Sequence, residues 1–130
     1  MDHPVTWYQA CIKHLLSEYQ ALHTEDAPIE LVFDDEHGHY LVMRVGWFGQ
    51  KRVHSCLAHI DLRDQTIIIQ ANNTEDELDD EFVELGVPRE QIQAGMLPPD
   101  AQEYAAQQRR ERQQMFQAIL REQPEHAVYA

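Results

Sequence analysis

His59 and Asp61 are the residues in this chain best placed to do chemistry. They stand two apart in the apolar run 51–62. If that run is a strand, both side chains leave the same face. Gln70, expected opposite His59 on the next strand, would then join them in a buried polar network. A His-x-Asp pair can also act as acid and base, or hold a metal. Tight zinc sites use three or four protein ligands, and no third ligand stands at a diagnostic spacing, so structural or interface use outweighs catalysis. His37 and His39 flank Gly38 in what reads as a surface turn, with a weak metal clip as the sharper alternative. His54 and Cys56 are expected to share a face and invite a nucleophile reading. Cys56, however, lies among apolar residues that raise a thiol pKa and leave it inert. The expected cofactor and metal content is therefore none, with no catalytic residue.

Other candidates point to binding. Trp47 and Arg52 are expected to pair near a hairpin tip, where Arg over Trp makes a cation–π contact and where both types favour interfaces. The run 75–84 carries seven carboxylates and no basic residue, which reads either as a solvated face or as a dock for a basic partner. Arg109, Arg110 and Arg112 are the only basic cluster, and Glu111 between them favours pairing on a helix surface.

Charge narrows the partner class. Ten Lys and Arg face 23 Asp and Glu, for a net charge of −13. Nucleic-acid affinity is mostly phosphate neutralisation, so direct DNA or RNA binding is not expected. Two cysteines outside any C-x-x-C motif read as core thiols in a reducing compartment. No stretch approaches the roughly 20 apolar residues of a membrane span. A cytoplasmic protein is expected.

The elements that must position these residues follow from periodicity. Val5, Tyr8, Ile12, Leu15, Leu16, Tyr19 and Leu22 recur every three or four residues, which marks one face of an amphipathic helix, capped by Thr6 or Asp2. Four strands are predicted over 29–34, 39–48, 51–62 and 66–71, joined by turns at 35–38, Gly49-Gln50 and Asp64-Gln65. Short connections imply an antiparallel meander. The two-residue turns pair Trp47 with Arg52, Met43 with Cys56, and Ile60 with Ile69. Strict alternation then assigns Leu31, Phe33, Leu41, Met43, Val45, Cys56, Ala58, Ile60, Leu62, Ile67 and Ile69 to the helix-covered face. Tyr40, Val42, Leu57, His59, Asp61, Ile68 and Gln70 fall on the second face, with Val32, Arg44, Val53 and Ser55. That face is apolar enough to call for a cover. Thr74 and Glu77 have capping-box spacing ahead of a short helix ending at Gly86. Residues 87–92 read as a further helical turn with Pro88 near its first position. Residues 101–122 read as a polar helix.

The chain resembles the XisI family, the fdxN-element excision controlling factors of cyanobacteria, from Tyr8 to Pro99. The residues that carry the likeness are Val32-Phe33-Asp34, His39-Tyr40, Val45-Gly46-Trp47 with Gln50 and Arg52, His59-Ile60-Asp61-Leu62 with residues 67–70, Glu84-Leu85-Gly86-Val87-Pro88, and Pro98-Pro99. Family members run from the Pro-Pro almost directly into a short tail, which Glu125-His126-Ala127-Val128 resembles. Residues 100–123 therefore read as an inserted helix and 124–130 as the tail of a single XisI-like domain. Gln65 and Ile68 stand where members often have Gly and Trp.

The resemblance implies an α+β fold, a four-stranded antiparallel meander against the N-terminal helix, and a controlling role in DNA excision beside a recombinase and a nuclease-fold companion, XisH. It implies no catalytic residues. The expected function is a non-enzymatic accessory protein. It would bind a XisH-like partner, or itself as a dimer, through Trp47, Arg52, Leu57, His59, Asp61 and Ile68. The alternative is a metal-dependent hydrolase or nuclease using His59 and Asp61.

Overall fold

The N-terminal periodic run is helical because its apolar residues form one stripe. Helix α1 spans Val5–Ser17 and buries Tyr8, Cys11, Ile12, Leu15 and Leu16; a 3-10 turn, Glu18–Leu22, extends it and buries Tyr19. Pro4 occupies the N-cap position and no side chain caps the helix, so the expected Thr6 cap is not used, while Asp2 lies outside the described residues. The computed structural model describes residues 3–122, which fall into two compact units divided between Met96 and Leu97.

In the first unit the strands are β1 (Ile29–Asp34), β2 (His39–Phe48), β3 (Lys51–Arg63) and β4 (Thr66–Asn72), antiparallel neighbours in chain order. The predicted turns fall where expected, because their residues accept left-handed backbone: Gly38 has φ +73°, Gly49 +61° and Asp64 +56°. After β4 come α2 (Leu78–Glu84), a 3-10 turn (Arg89–Gln91) and a short β5 (Ile92–Ala94). Strand β5 pairs parallel with β4, Ile67 beside Ile92 and Ile69 beside Ala94. The helical turn expected over 87–92 is thus a single 3-10 turn that yields to a fifth strand. The unpaired edge of β4 supplies the hydrogen bonds that a helix would have made internally.

The predicted capping box does not form. Helix α2 starts at Leu78 with Glu77 at the N-cap and no side-chain cap, while Thr74 bonds Asn72 and accepts from the Asp76 amide. The helix stops as expected: Gly86 at φ +109° lets the Val87 amide reach the Phe82 carbonyl.

The three predicted cross-strand pairs are present: Trp47 beside Arg52, Met43 beside Cys56, Ile60 beside Ile69. Strict alternation between them fails, because β3 and β4 each carry a bulge. Leu57 has no partner in β2, so Val42 pairs with Ala58; Gln70 has no partner in β3, so His59 pairs with Ala71. An extra residue reverses the facing of everything beyond it. Tyr40 and Val42, expected on the second face, therefore lie fully buried in the core with Ala58, Ile60, Ile67 and Ile69, against Tyr8, Ile12, Leu16, Leu78 and Phe82. Leu41, Met43 and Cys56 are correspondingly displaced from the core, each only partly buried. Each large apolar side chain so buried contributes about 1.5–3 kcal/mol. The second face is less apolar than alternation implied, and its Val42 does not exist as a surface residue.

The second unit holds α3 (Pro99–Glu122), a 24-residue helix with no buried residue. Tyr104, Met115, Phe116, Ile119 and Leu120 are all exposed along it. Among the described residues no helix is long and apolar enough to cross a membrane.

Candidate functional site

Asp61 is the only buried charged residue of the described chain, and three elements converge on it. It sits near the end of β3, directly across from His39, the first residue of β2. His39 Nδ1 lies 2.7 Å from Asp61 Oδ1, and His59 Nε2, two residues earlier on the same face, lies 2.9 Å from that same oxygen. Gln70 Nε2 donates to Asp61 Oδ2 at 3.0 Å. Arg63 reaches within 3.6 Å of Oδ2 from solvent. The bulge explains Gln70: with no backbone partner of its own, it is free to aim across β3.

The electrostatics follow from the geometry. The Asp61 side chain is 5% exposed, against 44% for His39 and 31% for His59. Burial alone would raise its pKa. Hydrogen bonds from His39, Gln70 and His59, with the nearby charge of His59, outweigh that and hold the carboxyl below its usual range. The result is an ionised carboxylate walled by two half-open imidazoles with their rings edge to face, 6.2 Å between centroids.

His39 is the residue that sequence reasoning missed. The turn Asp35–Gly38 placed it beside His37, but the two part company: His37 folds back onto Asp34, Nδ1 to Oδ2 2.9 Å, whereas His39 enters the sheet. The clue was available in register, because pairing β2 with β3 across a one-residue bulge puts His39 opposite Asp61.

Trp47 and Arg52 meet at the β2–β3 tip, the guanidinium 5.4 Å from the ring centroid. Eight residues of strand separate Trp47 from His39, roughly 26 Å at about 3.3 Å each. Trp47 with Arg52 and His59 with Asp61 thus mark two separate centres, the hairpin tip and the Asp61 cluster. Leu57 is half-buried against the core, and Ile68 is half-buried with its Cγ2 close against Gly95. Cys56 donates to the Ala58 carbonyl and its thiol is pushed up by burial, which fits the inert reading.

The acidic run is only partly free. Arg89 binds Asp80 at 2.7 Å and Asp79 at 3.7 Å. At its other end a cavity of about 210 Å³ is lined by Leu15, Glu18, Tyr19, Leu22, Asp76 and Glu81. Tyr19 donates to Asp76 Oδ2 at 2.6 Å, and burial followed by that bond raises its phenol to about 12. Glu81 Oε2 is buried with no hydrogen-bond partner among the described residues; burial, then Asp76, Glu18 and Glu84, raises its pKa. A carboxyl with a raised folded pKa favours folding when protonated and opposes it when ionised. Glu81→Gln should therefore raise the melting temperature at pH 7, and the gain should shrink as pH falls toward 4. Equal melting curves at pH 7 would contradict this account of the cavity.

Comparison with known proteins gives a consistent result. The family model described as XisI protein matches residues 1–124. The crystal structure of a XisI-like protein from Anabaena variabilis ATCC 29413 is 36% identical, with a TM-score of 0.73, over 77% of this chain and 94% of that one. A second crystal structure, the fdxN element excision controlling factor XisI from the same strain, is 26% identical, with a TM-score of 0.64, over 74% and 95%. No curated protein matches. Both relatives are covered almost completely, and about a quarter of this chain lies outside each match.

Proposed function

Starting from a chain that belongs to the XisI family, we propose a controlling protein that docks on another protein and performs no catalytic step itself. One relative is named as an fdxN element excision controlling factor, and this chain takes a corresponding role. Its partner is a XisH-like nuclease-fold protein, and its setting is the cytoplasm. The net charge of −13 favours a partner with a basic rim over contact with DNA itself.

The observation that carries this reading is the β2–β3 tip. Trp47 is 52% exposed and Phe48 is 50% exposed. As strand neighbours they project from opposite faces, so the arm presents an aromatic on either side with Arg52 over one of them. Large aromatics and Arg dominate the energetics of protein interfaces. Their exposure at the end of the β2–β3 hairpin has no role in the core.

Calorimetric titration of the full chain with a XisH-like protein tests the proposal. Trp47→Ala with Phe48→Ala should weaken binding at least ~30-fold, about 2 kcal/mol, with the melting temperature nearly unchanged. Undiminished affinity of the double variant would remove the tip as the docking element.

A further inference from the structure

We infer that His39, His59 and Asp61 form a binding site for a divalent transition ion of zinc type. Their ligand atoms lie within 4.8 Å of one another, on two paired strands whose backbone fixes the spacing. Two imidazole nitrogens and one carboxylate oxygen suit zinc, and its first-row neighbours, better than magnesium or calcium, which prefer all-oxygen shells. Three protein ligands leave a fourth position for water, and the two half-open rings give an ion a route in.

The carboxylate is prepared for this task. Gln70 holds Oδ2 at 3.0 Å, which orients Asp61 and leaves Oδ1 pointing between the rings; such an outer contact is the usual support of a metal ligand. Arg63 approaches Oδ2, at 3.6 Å, on the side away from the rings' shared oxygen. The ring nitrogens now lie at hydrogen-bond distance from Oδ1, 2.7 and 2.9 Å away. Tetrahedral zinc with bonds of about 2.0–2.1 Å spaces its ligands by about 3.3 Å. Opening each nitrogen–oxygen contact by about half an ångström, drawing the two ring nitrogens together from within 4.8 Å, and moving each ring's proton to its other nitrogen converts the hydrogen-bonded cluster into the coordinated one. Half-exposed rings can turn that far without disturbing the core.

Other acidic and histidine clusters lack these features. The Glu77, Asp79 and Asp80 group contains no imidazole and is engaged by Arg89. The His37–Asp34 pair offers two donors on an exposed turn.

The test is titration of the chelator-treated full chain with Zn²⁺ by calorimetry, and with Co²⁺ by visible absorption. One equivalent should bind, with the intense absorption of four-coordinate cobalt, a raised melting temperature, and affinity falling as pH drops because ligation needs unprotonated nitrogen. His39→Ala and His59→Ala should each lose at least ~100-fold in affinity. Gln70→Ala should lose about 10-fold, in the range of outer-contact losses. His37→Ala, and the Trp47→Ala, Phe48→Ala double variant, should bind as the parent does. Zinc affinity unchanged in both His39→Ala and His59→Ala, or no stoichiometric binding by the parent chain, would overturn the site without touching the docking proposal. The two histidine substitutions lie at half-exposed positions, so the answer does not depend on an Asp61 variant folding.

Discussion

Asp61→Ala is expected to destabilise the fold by about 3 kcal/mol, seen as a shifted denaturant midpoint. Alanine removes the acceptor shared by His39, His59 and Gln70; a buried donor left unpaired costs about 1–3 kcal/mol, and these three are only partly buried. The two rings can turn partly to water, which keeps the total near the lower end of the sum. Asp61→Asn, which retains an acceptor oxygen, should cost about half as much. A loss under about 1 kcal/mol for the alanine variant would mean that the cluster contributes little to holding β2, β3 and β4 in register.

The same carboxylate sets an acid limit. Its folded pKa lies below the usual range, so its contribution is complete above the unfolded value of about 3.9. It drains away as pH falls toward the folded value. The stability gap between the parent chain and Asp61→Asn should therefore be constant near neutrality and close below about pH 4.

Gly46→Ala should be comparably damaging, at about 3 kcal/mol. Gly46 lies in β2 at the point where the segment before β1 crosses the sheet. A Cβ there would fall 2.7 Å from the Ala27 Cα and closer still to the Asp26 carbonyl oxygen, both backbone atoms that cannot rotate aside. That carbonyl also accepts from the Trp47 amide at 3.0 Å. Overpacking of this kind costs about 1–3 kcal/mol where side chains can adjust, and here only backbone can move. Thermal unfolding checks it: a melting temperature within about 2 °C of the parent's would show that the crossing segment gives way freely, since about 1 kcal/mol shifts a domain this size by several degrees.

The strands were readable because Val, Ile and aromatic runs were separated by residues suited to turns. Gly49 and Asp64 sit at positive φ as those turns demand. What periodicity could not supply was the count. A bulge leaves no mark in composition, and Leu57 is as apolar as its neighbours; one unpaired residue moved Tyr40 and Val42 into the core. The same error hid His39, whose partner is defined by register and not by spacing along the chain. Gln70 joins the Asp61 network as its expected place on the sheet implies, although it reaches that carboxylate as a bulged residue and not as the partner of His59. Strand β5 escaped because three residues are too few to show a period.

The Leu57 bulge also divides the molecule in a practical sense. On the turn side, Met43 to Cys56 keeps a regular ladder through Trp47 and Arg52; on the other, Val42 and Ala58 begin the core. The boundary gives the hairpin the status of a cassette. A hairpin from another member of the fold, joined at Met43 and Cys56 and keeping glycine at position 46, would meet the rest of the sheet in phase. The docking role proposed for that hairpin can thus be transplanted, or diversified, without rewriting the interior that supports it.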